Sequence, residues 1–108
     1  MSVARKSSLS PARCRLLELM QSIGFGRIEN LIVRGGEPVF RPPPYVVREF
    51  KLTSDDDADP EGAAADFELK AQVVRLFRRL DKLGDGLVEM LEIKDGLPFK
   101  LVIEGVEA

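Results

Sequence analysis

Glu29 and Glu89 are the two residues of this chain best placed by type and spacing to do chemistry together. Each follows a β-branched residue, in Ile28-Glu29 and Val88-Glu89, and each precedes an apolar alternation, Leu31 and Val33 or Leu91 and Ile93. Strict alternation along an extended strand gives each glutamate the parity of those inward-facing residues. Two carboxylates brought to one site shift each other's pKa and can serve acid–base or metal chemistry. Catalytic carboxylates work with further polar groups, however, and the chain has no histidine. Structural ion pairs are therefore expected for Glu29 and Glu89, with Arg48 as partner, because Arg48 shares parity with Val46, Phe50 and Leu52. A carboxylate-based enzyme or metal site at Glu29 and Glu89 ranks third among the functions considered, and neither a metal nor a cofactor is expected.

Other motifs carry less. Gly24-Phe25-Gly26 and Gly84-Asp85-Gly86 lie after a helix pattern and before a strand pattern. Phosphate-binding glycines come in the opposite order, between a strand and a helix N-terminus, so these glycines read as turns. Pro42-Pro43-Pro44-Tyr45 matches a short WW-domain ligand pattern but reads as a rigid spacer. The lone Cys14 has no second cysteine to pair with and falls on an apolar helix face, as a small buried thiol would.

Charge is divided along the chain. Residues 1–53 hold nine Lys/Arg against four Asp/Glu, a balance of +5, and residues 54–108 hold seven against fourteen, a balance of −7. The basic half offers Arg13, Arg15, Arg27, Arg34 and Arg41 as contacts for a nucleic acid. Against that stand the sequence pI of about 5.2, the opposite strand parities of Arg27 and Arg34, and the lack of a helix-turn-helix or RNP signature. Nucleic-acid binding is thus the second reading. The first is a non-enzymatic binding or regulatory protein acting through a protein-partner surface.

The elements that position these residues occur twice. Cys14 to Phe40 aligns without a gap over Val74 to Lys100, with eight of twenty-seven positions identical, among them Gly24/Gly84, Glu29/Glu89 and Gly36/Gly96. In each copy a helix stripe leads to a glycine stop: Leu16, Met20 and Ile23 before Gly24, and Leu69, Val73, Leu76, Phe77, Leu80 and Leu83 before Gly84. Ser10 and Asp66 are the expected N-caps, with Pro11 in the first helical turn. The strands Arg27–Arg34 and Leu87–Lys94 follow, turned by Gly35-Gly36 and Asp95-Gly96, and return strands begin near Pro38 and Pro98. Tyr45–Leu52 is expected as a fifth strand. The acidic, alanine-rich stretch 54–65 is expected as a mobile linker between repeat 1, about residues 10–52, and repeat 2, about 66–104.

The resulting expectation is one α+β domain over residues 1–108: two tandem αββ repeats with pseudo-twofold symmetry, about five antiparallel strands and two helices packed on them. On strict alternation Ile28, Ile32, Val88 and Met90, with Val47 and Val102, fall on the face away from Leu31 and Leu91. Two helices cover only one face, so this second face is expected to be a partner or homodimer surface, the alternative being helices split between the faces. No apolar run is long enough to span a bilayer, and residues 1–10 lack the apolar stretch of a secretory signal, so a cytoplasmic chain with no membrane partner is expected.

The unit of helix, Gly-x-Gly, extended Ile/Val-Glu-x-Leu-x-Val/Ile-Arg/Lys and glycine turn resembles an uncharacterised family of short bacterial αββ proteins. The resemblance covers Leu16 to Val39 and Leu76 to Phe99, and it implies a helix leading into a glycine-turned hairpin. That family has no assigned activity and implies none here. Ten arginines against six lysines also fit a bacterial chain of GC-rich coding.

Overall fold

Ser10 opens the first helix by accepting a hydrogen bond from the Arg13 N–H at 3.2 Å, and Pro11 occupies the first turn, where its missing N–H costs nothing. The computed structural model describes residues 5–50, 52 and 69–104. Helix α1 spans Pro11–Ile23 and buries Leu16, Leu17, Met20 and Ile23, while α2 spans Ala71–Leu83 and buries Val73, Leu76, Phe77 and Leu80. Both end at a glycine of positive φ, Gly24 and Gly84, whose N–H groups donate back to Met20 and Leu80. The second helix starts later than its sequence pattern suggests. Lys70 holds the cap position without a side-chain bond, Leu69 packs beside the core ahead of the helix, and Asp66 lies outside the described residues, as does the whole of 54–65.

The sheet is antiparallel and five-stranded, built from β1 (Gly26–Arg34), β2 (Glu37–Val39), β3 (Tyr45–Arg48), β4 (Gly86–Lys94) and β5 (Leu97–Glu104). Its order is β2-β1-β4-β5, with β3 pairing to β1 as well. Strand β3 pairs with Gly26–Glu29, whose other edge is taken by β4, so β3 must follow β2 along the same edge. One return strand is thus continuous, β5, and the other is broken by Phe40–Pro44. The hairpin turns Gly35-Gly36 and Asp95-Gly96 hold positive φ at both central residues, the requirement of a tight primed turn. Strand β3 stops at Arg48, short of the expected Leu52, and Phe50 and Leu52 stand in solvent.

The central strands pair from Gly26↔Ile93 to Val33↔Gly86. Each helix end docks on the hairpin that does not follow it: Gly36 N–H donates to the Gly84 carbonyl, and Gly96 N–H to the Gly24 carbonyl, both at 2.8 Å. One apolar cluster joins residues of both helices to Ile28, Leu31, Val33, Val88, Leu91 and Ile93, so both helices lie on the same face of the sheet. The alternative of helices split between the faces is thereby corrected.

The strand phase also differs from strict alternation. Ile28 and Leu31 are both fully buried, although three residues apart, and so are Val88 and Leu91. In β1 the added residue is Asn30, at φ 59, and in β4 the register shifts between Val88 and Met90. An extra residue of this kind leaves the ladder and turns the rest of the strand over. Ile28 and Val88 consequently belong to the core and not to the outer face where alternation puts them.

Candidate functional site

The same phase change turns the glutamates outward. Glu29 faces away from the helices, half-buried, and receives Arg27 Nε at 2.5 Å. That hydrogen bond holds the Arg27 guanidinium above its ordinary pKa. Glu29 stands opposite Met90 and Tyr45, whereas Glu89 is exposed at the β4 irregularity, so the two carboxylates do not share an inward site. Arg48 is not their partner: it lies opposite Gly26 and donates to Ser22 Oγ at 3.3 Å. Among the described residues no group of three or more His, Cys, Asp or Glu side chains could hold a metal ion.

The sheet face turned away from the helices can be read row by row from the strand register. Val47, Arg27, Glu92 and Lys100 form one row; Tyr45, Glu29, Met90 and Val102 the next; Val39, Ile32, Leu87 and Glu104 the third. Of the six residues expected there, Ile32, Val47, Met90 and Val102 are present and only partly buried. Leu87 and Tyr45, which were not expected, complete the patch at 38% and 63% exposure.

The candidate nucleic-acid contacts do not form one surface. Arg13 is inside a lock: its Nη2 donates to the Gly36 carbonyl at 2.9 Å and pairs with Asp81, its Nε lies 3.7 Å from Glu37, and its guanidinium sits over Phe77. Ser10 Oγ adds a bond to Glu37 at 2.6 Å. The side chain is only 16% exposed, because α1, the first hairpin and α2 meet on it. Its signal in the sequence is legible only from the alignment, where Arg13 stands opposite the apolar Val73. Arg27 is paired on the outer face, Arg15 stacks on Phe40 at 4.4 Å, Arg34 is at a hairpin turn and Arg41 precedes Pro42 on the proline loop.

Two shallow grooves run between a helix and the neighbouring sheet edge. The first, of about 400 Å³, is lined by Arg15, Glu18 and Leu19 of α1 against Phe40, Pro44 and Val46. The second, of about 190 Å³, lies between Arg75, Leu76 and Arg79 of α2 and Phe99, Lys100 and Leu101 of β5. Among the described residues no helix is long and apolar enough to cross a membrane. Comparison of the chain with protein-family models, with curated proteins and with solved structures finds no match.

Proposed function

We propose that the chain is a non-enzymatic binding protein, that its contact surface is the sheet face turned away from the helices, and that a second copy of the chain occupies that face. The observation that supports this is the placement of both helices on one side of the sheet, so that among the described residues no helix covers Ile32, Leu87, Met90, Val47 and Val102 on the other. Apolar side chains on a sheet face are stabilised by burial at about 25 cal/mol per Å², and a face-to-face stack of two sheets is the simplest way to bury them. Charged residues on the same face, Arg27, Glu29, Glu92, Lys100 and Glu104, supply both signs, which suits a surface that meets a copy of itself.

We also infer that the chain is two copies of one αββ unit related by approximate twofold symmetry. In support, α1 and α2 have thirteen residues each, the central register maps onto itself when the two hairpins are exchanged, and the bonds from Gly36 to Gly84 and from Gly96 to Gly24 are reciprocal. The scattered and internally engaged arginines of the first half favour a protein partner over a nucleic acid.

Sedimentation equilibrium tests the dimer. The expected mass is twice the 12.0 kDa of the chain, falling to one chain in the double variant Leu87→Glu, Met90→Glu with an unchanged circular dichroism spectrum. A wild-type chain that stays monomeric at high concentration would overturn it.

A further inference from the structure

The groove between α2 and β5 differs from its counterpart on α1 in its charge. Gln72, Arg75 and Arg79 form one rim, an i, i+3, i+7 stripe on the exposed side of α2, and Lys100 stands on the opposite rim. Among the described residues no acidic side chain lines it, whereas the α1 groove carries Glu18 beside Arg15. The floor is apolar: Leu76, Leu91, Pro98 and Leu101. Phe99 lies beside them, 62% exposed, at the point where the β4–β5 register shifts and the residue loses its cross-strand partner. Lys94 covers one side of its ring, 3.9 Å from the centroid. A large aromatic left in solvent between a cationic rim and an apolar floor is unusual in a chain whose net charge is −2.

We propose that this groove binds an acidic peptide segment of another protein, in extended form, with carboxylates and apolar side chains in alternation. The spacing fits. Arg75 and Arg79 are one turn apart, about 6 Å along the helix axis, and alternate side chains of an extended peptide repeat at about 6.6 Å. Carboxylates on one side of such a strand meet the two guanidinium groups, which pair with carboxylates in fork geometry. The side chains between them point the other way, onto Phe99 and Leu101. A nucleic acid would satisfy the cations but leave the aliphatic floor without a partner, and three cations make a small phosphate-binding surface. Lys100 borders both this groove and the dimer face, but Arg75 and Arg79 lie on α2, on the opposite side of the sheet from that face, so the groove stands whether or not the chain dimerises.

The test is fluorescence anisotropy of the full chain with a short labelled peptide alternating Asp and Leu. Saturable binding is expected, weakened about tenfold or more in the variant Arg75→Glu, Arg79→Glu and in Phe99→Ser, with circular dichroism verifying the fold since all three side chains are exposed. The variant Leu87→Glu, Met90→Glu is expected to bind as wild type, which separates this site from the dimer face. Equal binding of an Asp–Ser peptide, tighter binding of single-stranded DNA, or indifference to the arginine substitutions overturns the proposal. Two further outcomes also overturn it by naming another occupant. Binding seen only after Asp55, Asp56, Asp57, Asp59 and Glu61 are changed to their amides gives the groove to the chain's own acidic stretch. Dissociation of a wild-type dimer by Arg75→Glu, Arg79→Glu gives it to a second copy.

Discussion

Arg13 aligns in sequence with Val73, and the two side chains are held in different ways. Val73 is buried among apolar neighbours, whereas Arg13 reaches the Gly36 carbonyl, Asp81 and Glu37 while its guanidinium lies on Phe77. A half-hidden cation of this kind is held by charge-assisted hydrogen bonds and by the packing of its stem. Its partners keep much of their hydration, Asp81 being 61% and Glu37 42% exposed, which limits the loss when the arginine is removed. Arg13→Ala is therefore expected to lower the unfolding free energy by about 1–2 kcal/mol in urea titration, and to loosen the first hairpin against α2. A change below the error of the titration would show that the lock is only a surface pair. Gly36 belongs to the same lock, because a Cβ there would stand 2.9 Å from Asp81 Oδ1.

At the scale of the elements, Asn30 decides which residues of β1 reach the core. Its φ of 59 lies in the left-handed region, which asparagine tolerates and β-branched residues do not. Asn30→Val is expected to cost about 1–2 kcal/mol, and Asn30→Gly little, when both are compared by thermal or urea unfolding. Equal stability of the two variants would mean that the backbone there is not constrained. The helices, the two glycine-turned hairpins and the five antiparallel strands were legible in the sequence because glycines, helix stripes and β-branched runs mark them locally. The face of Ile28 and Val88 was not, since one extra residue in a strand leaves no mark in an apolar alternation that reads plausibly in either phase. Such a slip in each of the two central strands moved Ile28 and Val88 from the outer surface to the core and turned Glu29 from an inward to an outward position. The broken return strand was half legible: Pro42-Pro43-Pro44 announced an interruption, but only the pairing of β3 with β1 reveals that it resumes the same edge. The α2–β5 groove had no local signature at all, because Arg79 and Phe99 meet only through the fold.

For the whole molecule, the two halves are joined through the central strands, the helix ends and one shared core. Strands β1 and β4 pair along their length, each helix end is held by the other hairpin, and the single apolar cluster draws on both helices. Neither half has a core of its own, and a unit of this size rarely folds alone. Residues 1–53 and 54–108 produced as separate chains should consequently recover the fold only when mixed, giving a one-to-one complex by sedimentation and a cooperative unfolding transition that neither half shows by itself. Their charge balances of +5 and −7 add a second expectation. Opposite charges speed the encounter of the halves and like charges oppose self-pairing, so association should slow as salt is raised, and the mixed complex should form in preference to either half with itself. Two halves that fold separately as stable monomers would remove the shared core, and with it the reason for both helices to lie on one face and leave the other open.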